Sequence, residues 1–313
     1  MAQRQTKSTK AESYRWGVEI ECFLPSRKVT ELGISIGGYH NGRALPSPFP
    51  QGWKAEGDGS LRSDRRGYVG IEIVSPILSG RTGIEQVKQV AKLLREHGAV
   101  VNPTCGLHCH IGPESVVGFN FNEVADWVAK LMYQTSMHET ALYASTGTHR
   151  RENGSFSRSI KAQKEAADKV RKASPTRKRE ILQDEIWRLG RYKTLNLTNL
   201  FTGKHTVEFR FAAGTTDWVK MVGHILTCLA LAERATETAK MDWDAVATQK
   251  TYRNGGAGLR ELNRFFYLTG WTLGRRDVGK DEVSLAGWIA ELEELKSVKV
   301  QLRRLAKKYD QGG

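Results

Sequence analysis

The stretch GVEIEC, Gly17 to Cys22, sets two glutamates two residues apart inside an apolar run. In a β-strand, residues i and i+2 share a face, so Glu19 and Glu21 stand together while Val18, Ile20 and Cys22 point the other way. Neighbouring carboxylates repel, and one of them tends to take up a proton unless a cation lies close by. The strand therefore has one dry face and one face that calls for a counter-ion.

Three further strands repeat this pattern. In GIEIVSP, Glu72 opposes Ile71 and Ile73; in CGLHCHIG, His108 and His110 oppose Leu107, Cys109 and Ile111; in TVEFRF, Glu208 and Arg210 oppose Val207, Phe209 and Phe211. A merely solvated sheet face would mix Lys, Thr, Ser, Gln and Glu, whereas these positions hold only Glu, His and a single Arg. The set predicts a metal-binding floor. Hard divalent ions such as Mg2+ take carboxylate oxygens, keep several waters and bridge to substrate phosphates. Zinc is the rival metal, because Cys105, His108, Cys109 and His110 lie close together; strand alternation, however, puts both cysteines on the face opposite both histidines.

Around these strands the periodicity changes to that of helices. SGRTGIEQVKQVAKLLREHG carries Ile84, Val87, Val90, Ala91 and Leu94 on one stripe and stops at Gly98. Asn120 with Glu123 opens a second helix that turns Val124, Trp127, Val128, Leu131 and Met132 inward. A third runs from 216 to 240 through Met221, Val222, Ile225, Leu226 and Leu229, and a last one from about 284 to 309 through Leu285, Trp288, Leu302 and Leu305. LNLTNL and HTVEFRFAAGT read as a hairpin, the Gly- and Pro-rich GISIGGYHNGRALPSPFPQGW as a surface loop, and His138 as a core histidine. Strands and helices mix without regular βαβ alternation, so the expected class is α+β with a largely antiparallel, curved sheet and flanking helices.

Composition sets the outer limits. The chain has 313 residues, 39% of them hydrophobic, enough for one large domain or two modest ones. Its longest apolar run, ILTCLALA, is far short of the roughly 20 residues that span a bilayer, so no membrane partner is expected. Residues 1–13 read as a disordered basic leader without the apolar segment of a secretory signal. Four cysteines in a chain of this length make no disulfide scaffold, and a reducing cytoplasm is the expected compartment. The formal charge of +14 favours acidic partners: nucleotides, an anionic metabolite or polymer, or nucleic acid. Much of it falls between Arg158 and Lys193, a segment that is either a solvated helical face or an anion-binding surface.

Seven pieces, GVEIEC, GWKAEGDGSL, GIEIVSPIL, CGLHCHIG, RRENGSFSRSI, RYKTLNLTNL and HTVEFRFAAGT, follow one another in the order and approximate spacing of the amidoligases. Over about residues 14 to 220 the chain resembles that family, whose relatives are glutamine synthetase and glutamate-cysteine ligase. The resemblance implies a glutamine-synthetase-like catalytic domain over 14–240, with 241–313 as a helical extension packed on it. It further implies ATP-dependent joining of a carboxylate to an amine through an acyl phosphate, with ATP and two or three Mg2+ or Mn2+ ions as cofactors. By the same resemblance Glu19, Glu21, Glu72, His108 and Glu208 would be metal ligands and Arg210 would stabilise the transferred phosphoryl group. Asp58, near Ser60 on a Gly-flanked loop, would position the amine. His110 would lie near the nucleotide, and Arg151, Arg158, Arg191 and Asn196 would hold substrate carboxylate or phosphates. The substrates would be a small-molecule or peptide carboxylate and an amine donor, with an acidic polymer, nucleic acid included, also compatible with the charge. Two alternatives remain: a guanidino kinase-like phosphotransferase, and a metal-dependent enzyme or binding protein acting on nucleic acid.

Overall fold

The computed structural model describes residues 13–160, 164–237, 241, 256–269 and 295–313. Alternation of apolar and ionic residues gives the long strands β1 (Trp16–Pro25), β4 (Tyr68–Val74), β5 (Gly106–Ile111) and β7 (Val207–Ala213). Three short strands, β2 (Arg43–Ala44), β3 (Lys54–Glu56) and β6 (Leu195–Asn196), complete them. Among the described residues they form one seven-stranded antiparallel sheet in the order β2-β3-β4-β1-β5-β7-β6. The expected α+β class with an antiparallel sheet and flanking helices is what the chain adopts, and GVEIEC lies at its centre.

The dry face of the sheet packs against helices whose stripes were legible in advance. Helix α1 (Gly80–Glu96) buries Ile84, Val87, Val90, Ala91 and Leu94, and Gly98 follows it at a φ of 77° that only glycine adopts without strain. Helix α2 (Phe121–Met137) is capped by Asn120, whose side chain accepts from the Asn122 N–H. Helices α3 (Glu139–Ala144), α4 (Lys164–Lys172) and α5 (Lys178–Leu189) follow, the last two carrying the basic segment with Ala166, Val170, Leu182 and Ile186 turned inward. Helix α6 (Trp218–Glu237) lies across α2, where Trp127 Nε1 donates to the Ala232 carbonyl at 3.0 Å. Ile20, Ile73, Leu107, Ile111, Phe209 and the inward residues of these helices belong to one apolar cluster. None of the described helices is long and apolar enough to cross a membrane.

Two expectations needed correction. The Gly- and Pro-rich stretch is no surface loop throughout: it supplies β2, leads into β3, and buries Phe49 and Trp53, the latter donating from Nε1 to Gln86 at 2.9 Å. LNLTNL is only briefly a strand, because Asn196 Oδ1 accepts from the Thr198 N–H and the chain turns into a 3-10 helix at Thr198–Phe201. His138 is in the core as expected, its ring edge-on to Phe265, and burial pushes its pKa down to about 3. Beyond residue 240, α7 (Ala257–Leu268) and α8 (Leu295–Asp310) add Leu262, Phe265, Phe266, Leu302 and Ala306 to the same cluster. The leader 1–12 and the 284–294 part of the last expected helix lie outside the described residues.

Candidate metal and substrate site

Register lines up the ionic residues in rows across the strands. Glu56 of β3, Glu72 of β4 and Glu21 of β1 stand opposite one another, and the Gly106 N–H of β5 donates to Glu21 Oε2. One pleat further, Glu19 faces His108; one more, His110 faces Glu208, which faces Asn196. These side chains are not a solvated face, since none of the Glu and His residues named is more than 8% exposed. A buried carboxylate is tolerated only when paired, hydrogen-bonded or bound to a cation.

The rows converge into three groups of candidate ligands: Glu19, His110 and Glu208; Glu19, Glu72 and His108; and Glu21, Asp58 and Glu72. Within each group one donor atom per residue lies within 4.8 Å of the others. All five residues expected as ligands are therefore brought together, and two expected in other roles, His110 and Asp58, join them as donors. Glu19 and Glu72 each belong to two groups. His108 Nδ1 lies 3.1 Å from Glu19 Oε2. His110 Nε2 also lies 3.1 Å from Glu19 Oε1, but out of hydrogen-bond alignment, so this buried nitrogen has no hydrogen-bond partner.

Burial, and then the charges of Glu19, Glu21 and Asp58, push the Glu72 carboxyl up to about 10. Burial alone would do the same to Glu19, but His110 and His108 outweigh it and hold the group well below its ordinary value. At Glu208 burial is likewise overcome, by Arg210 and His110. The cluster is thus short of positive charge on the Glu72 side. Its donor set, carboxylates throughout with one imidazole in each of two groups and none in the third, suits hard divalent ions, and no described cysteine joins a group. Space is kept as well: a Cβ at Gly106 would stand 2.8 Å from His108 Nε2 and 3.3 Å from Glu21 Oε2.

Two cavities open beside this floor. A charged one of about 310 Å³ is lined by Asp58, Glu72, His108, Arg191 and Arg210, with Tyr39 and Trp187 opposite in character. A more apolar one of about 430 Å³ is lined by Trp16, Val18, Pro76, Ile77 and His110. Both include Glu19 and Lys204, whose Nζ lies 2.8 Å from Glu19 Oε1. The Glu19–Lys204 ion pair is the boundary between them.

The remaining expected residues separate into those on a wall and those behind it. Arg210 pairs with Glu208 through Nη1 and donates from Nε to the Phe156 carbonyl at 3.2 Å. Arg191 Nη2 donates to the Tyr39 hydroxyl at 2.8 Å. Asp58 Oδ1 accepts from the Ser60 N–H at 2.5 Å. Asn196 stands behind the floor, donating to Glu208 Oε2 at 2.6 Å, and buried Arg151 donates to the Arg210 carbonyl at 2.6 Å; neither lines either of these two cavities. Arg158 is exposed and also lines neither. Glu56, Lys204 and Asn199, which donates to Glu208 Oε2 at 3.0 Å, were not anticipated. Glu56 sits in a strand of three residues, too short to display alternation, and Lys204 in a turn where a lysine ordinarily reads as solvated.

No curated protein matches the chain. A solved structure it is similar to is the crystal structure of a bifunctional glutathione synthetase from Pasteurella multocida, at 11% identity and a TM-score of 0.45. The alignment covers 97% of this chain and 52% of that one, so the chain spans about half the length of that protein. A family model described as "Putative amidoligase enzyme" matches residues 12–232, a span that takes in all seven strands and every residue of the floor. The chain belongs to that amidoligase family.

Proposed function

We propose that the protein is an ATP- and Mg2+-dependent carboxylate–amine ligase that forms an amide through an acyl phosphate, on a catalytic domain of the glutamine-synthetase type over 14–240. The observation that carries this reading is the overlap of three carboxylate-rich ligand groups beside Arg210, at the boundary of a charged and an apolar cavity. Glu19, Glu21, Glu72, His108 and Glu208 would hold the ions, with Asp58 and His110 as further donors. Bound Mg2+ would neutralise the triphosphate, which is most of what phosphoryl transfer requires.

The residues of the chain supply the rest. The apolar cavity with Val74, Pro76 and exposed Ile77 suits a purine ring, and Lys204 and His110 in the same cavity suit phosphate oxygens. Arg210 offers a planar fork to the transferred phosphoryl group, held in place by Glu208 and, through its carbonyl, by Arg151. Arg191 takes a substrate carboxylate and Asp58 orients the amine in the charged cavity. A carboxylate oxygen bonds to the terminal phosphorus and ADP leaves; the amine nitrogen then bonds to the acyl carbon, phosphate leaves with its oxygen, and the nitrogen gives up a proton.

Incubation with Mg2+, ATP and pooled carboxylates and amines should yield ADP together with a product one water lighter than the sum of its two substrates, read by mass spectrometry. ATP affinity in Mg2+ that is undiminished in the Glu72→Ala, Glu208→Ala double variant would overturn the assignment of the floor.

A further inference from the structure

Four large side chains that stay exposed gather beside the charged cavity. Tyr39 and Trp187, 49% and 57% exposed, stand on its wall. Tyr192 follows Arg191 in the chain, and Phe156 is tied to the site through the bond from Arg210 to its carbonyl. The rings of Phe156 and Tyr192 meet edge to face at 5.4 Å, and the Arg191 guanidinium lies 5.5 Å from the Tyr192 ring centroid.

Backbone pairing makes this a built surface. The Arg158 N–H donates to the Tyr192 carbonyl at 3.1 Å and the Thr194 N–H to the Arg158 carbonyl at 2.8 Å, so the segment around 157 runs beside that around 193. Behind it the buried Glu139 takes Ser159 Oγ at 2.6 Å and the Ile160 N–H at 2.9 Å. Arg158 and Lys193 stand side by side in a single isolated parallel bridge, and burial together with Arg158 lowers the Lys193 pKa. Two adjacent cations in that state favour an anion beside them.

We propose that this aromatic and cationic shelf binds an extended acidic peptide whose carboxylate enters the charged cavity as the acyl donor. The proposal rests on the amide-ligase reading and narrows its substrate from any carboxylate to one carried on a peptide or protein chain. Exposed aromatics grouped with arginines are the residues that dominate recognition surfaces, and basic clusters select acidic motifs. A peptide is favoured over a polynucleotide because it brings the carboxyl group that the reaction consumes. The new bond joins the peptide's carboxyl carbon to the amine nitrogen, and the displaced oxygen departs in phosphate derived from ATP.

The test is fluorescence anisotropy of the full chain with a labelled Glu–Tyr–Gly peptide, without ATP. A Lys–Tyr–Gly peptide, a single-stranded oligonucleotide of equal charge and free glutamate serve as competitors. The acidic peptide should bind, and its affinity should fall about tenfold in Trp187→Ala, Tyr192→Ala and clearly in Lys193→Gln. The affinity for ATP in Mg2+ and the melting temperature should stay at wild-type values. Equal or tighter binding of the oligonucleotide, displacement by free glutamate as effective as by peptide, or unchanged peptide affinity in both variants would each overturn the proposal. A chain that binds the peptide but forms no ADP would leave the shelf standing and sink the ligase reading instead.

Discussion

On β1, Ile20 and Glu21 are adjacent and both buried, yet Ile20 faces a packed apolar cluster and Glu21 a field of carboxylates. Removal from water therefore distinguishes nothing about the two faces of the sheet. What differs is the sign of the contribution: burying the apolar side stabilises the fold by about 25 cal/mol per Å² of surface, whereas burying acids costs desolvation that only partners return. The strands bear that cost on one face and offset it on the other. Charged residues gathered on the inner side of a sheet in this way mark a site and not a core.

Glu19→Gln gives the sharpest test of that contrast, because Glu19 serves two ligand groups and the change keeps its shape. Turnover in Mg2+, followed as ADP release per folded molecule, should drop about 100- to 1000-fold, and the melting temperature should fall as well, because Lys204, His108 and His110 lose their charged partner. A variant that keeps most of its activity would erase the distinction between the faces.

The next effect is on stability. Because the Glu72 carboxyl is pushed up to about 10 from 4.5, its charged form is disfavoured in the fold. Without divalent ions its contribution to stability is present below the lower value and is lost as pH rises between the two. Added Mg2+ should raise the melting temperature of the wild type by roughly a few degrees at mildly alkaline pH, and Glu72→Gln should abolish both that gain and the alkaline decline. Glu19 and Glu208 have the opposite sign: held below their ordinary range, they contribute stability that is lost as pH falls through the acid range. An alkaline slope that survives in Glu72→Gln would count against this account.

The smallest effect belongs to the dry face. Ile20→Val should cost about 1 kcal/mol in denaturant unfolding and leave activity per folded molecule unchanged. A change in turnover larger than the change in folded fraction would mean that the two faces are coupled through β1.

How much of this could be read from the chain depended on element length. β1, β4, β5 and β7 are long enough for alternation to show, which is why Glu19, Glu21, Glu72, His108 and Glu208 were found together before any coordinates. Glu56 and Asn196 sit in strands of three and two residues, where no period exists. The resemblance located Asn196 but not its contact, which is to hold Glu208 from behind, and it located Arg158, which lines neither cavity and stands beside Lys193 outside them. Lys204, Tyr39 and Trp187 come from turns and a helix end, and only the folded chain brings them to the floor.

The central position of β1 also bears on how the protein reaches its native state. Glu21 meets Gly106 across 85 residues of sequence, Glu19 meets His108 across 89, and His110 meets Thr206 across 96. Helices such as α1 form from near neighbours, whereas each of these pairings first closes a long loop, the kind of step that slows folding. The closing strands moreover carry like charges toward one another. Assembly of the acidic rows therefore belongs among the late and slow events of folding, and divalent ions in the medium would act on the final docking of strands as well as on the finished protein.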